Sequence, residues 1–211
     1  MSDKKISKIK IGIINLKTNN LYSIYNAIKN IGYNVSIVET NTKYLNYDFL
    51  ILPGVGSYAK GMKNITENNF NKRLIDFILP GEKKILGICL GMQLLFENSN
   101  EFKMTKGLGL IKGKVKKFKF TQKTIIPHIG WNSVILNNKM NYFKSSLINK
   151  KFYFVHSYVC EPADINYCGT KTFYGNKYFC SLIIQKNIIG TQFHPEKSGK
   201  AGINLLKSLL K

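Results

Sequence analysis

The sequence predicts an α/β protein with an open, mainly parallel sheet flanked by helices and an antiparallel extension in its second half. In the first half, short apolar runs typical of buried strands alternate with segments whose apolar residues recur at helical spacing. In the second half, strand-like segments follow one another with only short turns between them. Strands that alternate with helices pair in parallel through helical crossovers, and too few such units are present for a closed eight-fold barrel.

The first half contains four predicted strands and two predicted helices. The strands are KIKIGIIN (8–15), NVSIVE (34–39), DFLILPG (48–54) and KKILGI (83–88). A helix between the first two is predicted by apolar residues at helical spacing, namely Leu21, Ile24, Tyr25, Ile28 and Ile31. Gly32 ends this helix, and KRLIDFIL (72–79) ends the second helix just before Pro80 and Gly81.

The second half contains four strand-like segments and a closing helix. The segments are GKVKKFKF (113–120), KTIIPHIGWNSVIL (123–136), KFYFVHSYVCEP (151–162) and YFCSLIIQKNIIGTQF (178–193). The last of them contains a predicted turn at Lys186 and Asn187. The closing helix, GKAGINLLKSLLK (199–211), has apolar residues at Ile203, Leu205, Leu206, Leu209 and Leu210.

The length and composition are those of one globular domain, residues 1–211. The chain has 211 residues, of which 44% are hydrophobic, so it can bury a sizeable core. Its apolar runs stay well below the roughly 18 residues that would span a bilayer. The N-terminal stretch MSDKKISKIKIGIINL has no apolar core that ends at a small-residue cleavage site, so we expect a cytoplasmic protein.

A formal net charge of +21 suggests a nucleic-acid binder at first sight. Of the 32 basic residues, however, only Arg73 is an arginine, whereas base recognition and bidentate phosphate binding favour arginine. The lysines are also spread along the chain rather than clustered. The charge is therefore expected to act on solubility and non-specific association, and specific nucleic-acid binding is disfavoured.

The cysteines and histidines do not form a metal-binding pattern. The four cysteines are Cys89, Cys160, Cys168 and Cys180, and the three histidines are His128, His156 and His194. The sequence has no C-x-x-C pair, so a structural zinc site is not expected, and disulfides are not expected in a reducing compartment. Three of the cysteines, all except Cys89, are interpreted as small apolar packing residues.

Cys89 lies in GICLG (87–91), which has the form G-x-C-x-G, between a predicted strand and a predicted helix. This is the thiol analogue of the G-x-S-x-G nucleophile elbow, in which small flanking residues let the backbone close tightly beneath the nucleophile. Unpaired N–H groups at a helix start favour the thiolate, and the N–H of Leu90 is suited to bind an oxyanion. The alternative is a buried cysteine in a glycine-rich turn.

A thiolate that transfers acyl groups needs a proton carrier and a group that orients this carrier. In GTQFHPEKSG (190–199), His194 follows an apolar strand and Glu196 lies two residues later, across a proline that fixes the local backbone. His156, inside an aromatic strand, is the rival base, but a packed, hydrogen-bonded histidine is favoured there. His128 is expected in a loop, with a structural or interfacial role.

The segment ILPGVGSY (51–58) carries a strand into P-G-x-G. Glycines at positions 54 and 56 expose backbone N–H groups that bulkier residues would shield, so this segment can supply a second oxyanion donor. The alternative is an ordinary turn between a strand and a helix.

Taken in order, PGVG, GICLGMQLLFE and QFHPEKS resemble the class I glutamine amidotransferases. GLGLIKGKV, PHIGWN and YFVHSYVCEPAD are similar to segments of the glutaminase subunits of imidazole glycerol phosphate synthase, from histidine biosynthesis. The resemblance covers nearly the whole chain, from about Lys8 to Leu210. It implies a flavodoxin-like open sheet with the cysteine elbow at its carboxyl edge.

The resemblance also implies roles for particular residues. Cys89 would attack the side-chain amide of L-glutamine, His194 would act as acid and base, and Glu196 would orient His194. The residues that would bind the oxyanion or glutamine are Gly54, Val55, Leu90, Gln93, Ser157 and Tyr158. Ammonia would pass to a (β/α)₈-barrel synthase subunit in a heterodimer, and no cofactor or metal is required. The residues expected at that interface are Pro127, His128, Trp131 and Asn132.

One departure from the family concerns NLKTNNL (15–21), where the family usually has an Asp-Tyr-Gly-x-Gly-Asn-Leu stretch. In the family this loop lies near the synthase partner, so the departure bears on the partner and the ammonia acceptor rather than on glutamine hydrolysis. A paralogous subunit that supplies ammonia to amino-sugar biosynthesis is therefore an alternative. A non-catalytic basic binding protein is a more remote one.

Overall fold

The computed structural model describes residues 9–17, 21–43, 45–118, 124–137 and 144–211. The strands of the first half are β1 (Lys10–Asn15), β2 (Asn34–Glu39), β3 (Phe49–Gly54), β4 (Lys84–Cys89), β5 (Phe96–Ser99) and β6 (Thr105–Lys106). Those of the second half are β7 (Ile111–Lys117), β8 (His128–Ser133), β9 (Ile135–Leu136), β10 (Lys151–His156), β11 (Tyr158–Pro162), β12 (Cys168–Tyr174), β13 (Lys177–Gln185) and β14 (Ile188–Thr191).

Six α-helices lie within the described residues. They are α1 (Leu21–Ile31), α2 (Tyr58–Thr66), α3 (Phe70–Ile78), α4 (Leu90–Leu94), α5 (Lys144–Leu147) and α6 (Gly199–Leu209). The predicted helices before Gly32, before Pro80 and at the end of the chain are confirmed as α1, α3 and α6. Among these helices none is long and apolar enough to cross a membrane.

The main sheet has eight strands in the order β2-β1-β3-β4-β14-β13-β12-β9. The first five strands in this order, which are β2, β1, β3, β4 and β14, pair in parallel with their neighbours. This is the strand order of a flavodoxin-like sheet. Beyond β14 the pairing turns antiparallel, through a hairpin whose turn is Lys186–Asn187 and then through β12 and β9. The predicted fold class and its antiparallel extension are confirmed.

Two hydrophobic cores cover the two faces of the main sheet. Side chains alternate along the buried strands, so Ile11 and Ile13 of β1 face one core and Ile14 faces the other. The first core contains the apolar faces of α1 and α6, and the second contains those of α2, α3 and α4. Because both faces are buried, the inner parallel strands β3 and β4 are apolar at nearly every position, as the predicted runs indicated, whereas the edge strand β2 is largely exposed.

Two smaller sheets lie outside the main one, and the sequence did not predict them as separate units. One pairs β10 with β8, and the other has the order β11-β7-β5-β6. The predicted strand KFYFVHSYVCEP is thus divided at Ser157 between two sheets. PHIGWN is also not a loop, because His128 begins β8 and pairs with His156 of β10. The loop prediction for His128 was therefore wrong.

All four cysteines are free thiols and are buried. Cys160, Cys168 and Cys180 lie within one of the two cores, as expected of packing residues. The ends of some predicted strands, at residues 8, 119–120 and 123, and residues 18–20 of the NLKTNNL segment lie outside the described part of the chain.

Candidate active site

Cys89 is the last residue of β4 and immediately precedes α4, so it lies at a sharp turn between strand and helix. Its φ of 54° and ψ of −107° are unusual for a residue with a side chain and indicate a strained backbone. A Cβ on Gly91 would lie 1.6 Å from the Leu52 carbonyl oxygen, and one on Gly87 would lie 2.6 Å from the Gly91 oxygen. Both glycines are therefore needed for the close approach that forms the predicted elbow.

His194 follows β14, which is the parallel neighbour of β4, and this pairing brings it to the same edge of the sheet as Cys89. The backbone of His194 is held on both sides. Its N–H donates to the Tyr153 carbonyl at 2.9 Å, and its carbonyl accepts from the Ser198 hydroxyl at 2.6 Å. The imidazole is 2% exposed, so its position depends on packing as well as on these hydrogen bonds.

Glu196 lies in the 3₁₀ turn Pro195–Lys197, and its Oε1 lies 2.8 Å from His194 Nδ1. Both side chains are almost fully buried. A carboxylate accepts hydrogen bonds only, so Nδ1 carries the hydrogen and Nε2 is left for exchange with the nucleophile. The predicted pairing of His194 and Glu196 across the proline is present.

The charges around His194 favour its protonated form. Burial by itself would lower the pKa of His194, but the neighbouring Cys89 and Glu196 outweigh burial and raise the pKa from 6.5 to about 10. Cys89 is the stronger of these two neighbours. The three side chains therefore act as one unit in which the imidazole lies between the acidic side chains of Cys89 and Glu196 and is held in its protonated form by them.

Two further groups contact the sulfur of Cys89. The amide Nε2 of Gln192, which directly follows β14, lies 3.7 Å from Sγ. The backbone oxygen of Val155, in β10, lies 3.6 Å from it. Gln192 is fully buried and was not singled out from the sequence. Its only sequence signal is its place two residues before His194.

A cavity of about 500 Å³ opens onto Cys89, large enough for an amino acid. The predicted glutamine-binding residues that line it are Val55, Leu90, Gln93, Ser157 and Tyr158. Gly54 is not in the lining, but it pairs with Cys89 in the ladder between β3 and β4. The structure thus brings the predicted residues together around Cys89, and their individual roles stay predictions.

The cavity also has lining residues that sequence reasoning missed. Glu101 and Phe102 follow β5, Lys117 ends β7, and Ile126 precedes the predicted interface segment. Within the described lining, Glu101 and Lys117 are the only residues with opposite formal charges. No motif marks them, because they reach the cavity through the small sheet that the sequence did not reveal.

The predicted interface residues differ in exposure. Pro127 is exposed and lines the cavity, and Trp131 is 55% exposed on β8. Asn132 is half-buried and donates to the Phe173 carbonyl at 3.0 Å. His128 is buried, so its side chain is not presented at the surface, which favours the structural one of its two predicted roles.

His156 also lines the cavity, but its surroundings do not suit a base. Burial, together with the nearby His128, lowers the pKa of His156 to about 3. Its Nδ1 lies 3.0 Å from the Tyr158 carbonyl oxygen. The prediction of a packed, hydrogen-bonded histidine is confirmed, and His194 is left as the proton carrier.

A thiol nucleophile, a histidine with a raised pKa and a carboxylate that orients it form the machinery of acyl transfer through a thioester. No group of three or more metal-ligating side chains is found within the described residues. The three side chains of the unit can open an amide or ester bond, and the cavity has room for a small acyl group.

Comparison with known proteins assigns the chain to a family. The model of the family described as glutamine amidotransferase class-I matches residues 13–210. The subunit HisH of imidazole glycerol phosphate synthase from Methanocaldococcus jannaschii is 43% identical over 200 residues, covering 95% of this chain and 98% of the relative. The HisH subunits from Prochlorococcus marinus and Thermotoga maritima are 39% and 40% identical, and each comparison covers 96% of this chain and at least 94% of the relative.

Solved structures agree on the fold. A crystal structure of a glutamine amidotransferase has a TM-score of 0.74 at 17% identity and covers 95% of this chain and 96% of its own. The structure of PurLQS from Thermotoga maritima has a TM-score of 0.74 at 19% identity, with 96% and 97% covered. At such identities the likeness supports the architecture alone.

Proposed function

Because the chain belongs to the class I glutamine amidotransferase family, we propose that it hydrolyses glutamine as the glutaminase subunit of imidazole glycerol phosphate synthase. The observation that carries the proposal is the unit formed by Cys89, His194 and Glu196 beside a cavity of amino-acid size. The identity of about 40% to HisH subunits over nearly the whole of both chains supports the assignment to histidine biosynthesis.

In the first half of the reaction, the thiolate of Cys89 forms a bond to the carboxamide carbon of glutamine. His194, protonated because its pKa is raised to about 10, gives its Nε2 proton to the departing nitrogen, and ammonia leaves. The products of this half are a γ-glutamyl thioester on Cys89 and a neutral imidazole.

In the second half, water attacks the thioester carbonyl and His194 accepts the proton of that water. Formation of the thioester has removed the negative charge of Cys89, which is the larger influence raising the pKa of His194. The imidazole therefore stays neutral while the thioester exists and can act as a base. Collapse of the intermediate releases glutamate and restores the thiolate and the imidazolium.

The developing oxyanion needs N–H donors near the thioester carbon. The N–H of Leu90, the first residue of α4, is one candidate, and the PGVG segment that ends β3 supplies the other. Val55 and Gly56 both line the cavity, and Gly56 has a φ of +103°, a conformation that side chains disfavour. Gly54, next to them, faces Leu90 closely, since a Cβ on it would lie 3.2 Å from Cβ of Leu90.

The charged ends of glutamine match the two charged residues of the cavity lining. Glu101 can accept hydrogen bonds from the α-ammonium group, and Lys117 can donate to the α-carboxylate. Gln93 donates its amide hydrogens to the Tyr158 carbonyl at 3.0 Å and to the Gln192 side chain at 3.2 Å. Its own carbonyl oxygen is then available as an acceptor for the substrate.

The partner that uses the ammonia is a (β/α)₈-barrel cyclase subunit, and the two form a heterodimer. The exposed face of β8 carries Ile129, 59% exposed, and Trp131, 55% exposed, on the same side of the strand. Tyr153 of β10 pairs with Trp131 and extends this face beside the mouth of the cavity at Pro127. Large apolar groups exposed together in this way are typical of a protein interface.

Glutaminase assays test the proposal. The chain, combined with its barrel partner and the acceptor ligand, should release glutamate, and Cys89→Ala should lower the rate by about three orders of magnitude or more. Cys160→Ala is the matched control, because Cys160 is also a buried thiol but lies in β11 outside the cavity. Full activity in Cys89→Ala, or equal losses in the two variants, would contradict the assignment.

A further inference from the structure

Two buried histidines have no part in the mechanism above. His128 and His156 lie opposite each other where β8 pairs with β10, and each is less than a tenth exposed. Nδ1 of His128 and Nε2 of His156 are 3.0 Å apart, a hydrogen-bond distance. Burying two histidines that bond each other directly is costly, because each must adopt one particular tautomer. Such a pair therefore points to a role in the molecule.

The hydrogen-bond partners fix those tautomers. A carbonyl oxygen can only accept, so His156 Nδ1, 3.0 Å from the Tyr158 oxygen, must carry the hydrogen. In a neutral ring Nε2 of His156 is then an acceptor, and Nδ1 of His128 must donate to it. Nε2 of His128 is left as an acceptor, 3.5 Å from the side-chain nitrogen of Asn132.

The surroundings keep both rings neutral. His128 is stacked between Tyr174 and Phe154, with ring centroids 3.8 and 4.8 Å away. Burial lowers the pKa of His128 to about 4. Burial, together with smaller effects of His128 and His194, lowers the pKa of His156 to about 3. At neutral pH His194 is then the one charged histidine of the three.

The chain of hydrogen bonds continues to the nucleophile. The Tyr158 carbonyl accepts from His156 and also from the amide of Gln93 at 3.0 Å. The same amide donates to Gln192 at 3.2 Å, and Gln192 donates to Sγ of Cys89 at 3.7 Å. These hydrogen bonds therefore form a continuous chain from His128, the first residue of β8, to Sγ of Cys89.

We propose that His128 and His156 are positioning residues for glutamine, a neutral pair that holds the Tyr158 carbonyl in place and through it orients the amide of Gln93 in the cavity. This inference rests on the proposed glutaminase function. Neither ring exchanges protons with the substrate. The two rings act by fixing the positions of the Tyr158 carbonyl and the Gln93 amide in the cavity wall before glutamine binds. Loss of the pair should therefore raise KM for glutamine more than it lowers kcat.

Kinetics of three variants in the complex with the barrel partner and acceptor ligand test this. His128→Phe keeps a ring between Tyr174 and Phe154 but removes the donor to His156, and we expect KM to rise about tenfold with kcat changed by less than about threefold. His128→Asn loses the stacking but keeps a donor near the position of Nδ1, and it should recover most of that loss. Phe179→Leu, which removes a ring packed against both histidines but no hydrogen bond, should leave KM within about twofold of the wild type.

A spectroscopic measurement on the wild type tests the pair independently of activity and of the variants. Nitrogen-15 NMR of the imidazoles near neutral pH should show both His128 and His156 as neutral Nδ1–H tautomers, whereas free histidine prefers the other tautomer. An Nε2–H tautomer or a protonated ring at either position would overturn the proposal even if the enzyme hydrolyses glutamine. So would a KM in His128→Asn as high as that of His128→Phe. Absence of glutaminase activity in the wild-type complex would instead refute the proposed function.

Discussion

The proton on His194 is controlled by the charges on either side of its ring. Because Cys89 and Glu196 hold the pKa at about 10, compared with the usual 6.5, the imidazolium should persist to alkaline pH in the free enzyme. Nitrogen-15 NMR should show this titration directly. In Cys89→Ala the strongest neighbour that raises the pKa is absent, so the titration should move to lower pH.

The same shift has a consequence for stability. The folded-state pKa of His194 lies above its unfolded value of 6.5, so the folded protein binds this proton more tightly. The resulting stabilisation is complete below about pH 6.5 and is lost as pH rises towards about 10. We expect urea unfolding between pH 6.5 and 10 to show that the free energy of unfolding falls more steeply with pH in the wild type than in Glu196→Gln. Identical slopes would contradict a contribution of Glu196 to the raised pKa of His194.

Selective alkylation of Cys89 is a further prediction at this scale. A glutamine-like electrophile should label Cys89 first, because it lies beside His194 and lines the cavity. Burial raises the pKa of Cys160 and of Cys180, and Cys168 is only 1% exposed. Peptide mapping after limited labelling identifies the site. First modification of any other cysteine would argue against Cys89 as the nucleophile.

Individual residues differ in how far the sequence could predict them. Cys89, His194 and Glu196 could be predicted because the chemistry fixes their types and their local spacing. Glu101 and Lys117 could not, because a charged residue on a lysine-rich chain carries no local signal of the cavity it lines. Gln192 was missed because the sequence does not show that its side chain turns back to the sulfur.

The turn from β4 into α4 depends on close backbone contact at Gly91. A methyl group there would lie 1.6 Å from the carbonyl oxygen of Leu52, so either β3 or α4 must move. Gly91→Ala should lower the free energy of unfolding by about 3 kcal/mol or more. Gly81→Ala is the control, since Gly81 has a φ of +86° but open space around it, and it should cost about 1 kcal/mol.

Urea denaturation of both variants measures the difference. Equal effects of the two substitutions would contradict a cost at residue 91 set by the approach of the Leu52 carbonyl oxygen. Residual activity should follow the same order, because a displaced α4 moves the Leu90 N–H away from the thioester carbon.

The exposed face of β8 gives a prediction about partner binding. Trp131→Ala should weaken binding of the barrel subunit by about 2 kcal/mol or more, because a large exposed aromatic ring is removed from the proposed interface. Ile165→Ala is the control, since Ile165 is also 55% exposed but lies in the 3₁₀ turn before β12. Isothermal titration calorimetry gives both affinities. A Trp131→Ala affinity equal to that of the control would exclude this face.

At the scale of elements, most strands and helices were predictable, but their grouping was not. The apolar runs of β1, β3 and β4 were strong signals, because a strand buried on both faces is apolar along its length. The periodicity of α1 was equally clear, because a helix buried along one side has apolar residues at helical spacing. The division of KFYFVHSYVCEP at Ser157 had no signal, because both halves have strand-forming residues. Only the long-range partners, β8 for one half and β7 for the other, distinguish them.

For the whole molecule, we expect hydrolysis to depend on the barrel partner. A peptide flip in the PGVG segment is conformationally accessible because Gly54 and Gly56 flank Val55. We predict that the isolated subunit holds the N–H near Val55 away from the cavity and that the complex favours the flipped state. A preference of about 3 kcal/mol would raise turnover by roughly two orders of magnitude.

Glutaminase rates of the subunit alone, with the barrel, and with the barrel plus acceptor ligand test this dependence. A barrel from histidine biosynthesis and one from an amino-sugar pathway should be compared, because the NLKTNNL segment departs from the family. Equal rates with and without a partner would remove the flip from the mechanism. If only the barrel from the amino-sugar pathway activates the subunit, the chain would be assigned to that pathway instead of histidine biosynthesis.

The pairing of β4 with β14 joins distant parts of the chain, with Ile85 opposite Ile188. Synthesis on the ribosome proceeds from the N-terminus, so the elbow with Cys89 emerges long before the strand that carries its base. Until β14 emerges, β4 has an unpaired edge inside what becomes the middle of the sheet, which is a hazard for aggregation. The delay also keeps the thiol inactive, because a nascent chain has the nucleophile without His194 and cannot consume glutamine before β14 has paired with β4.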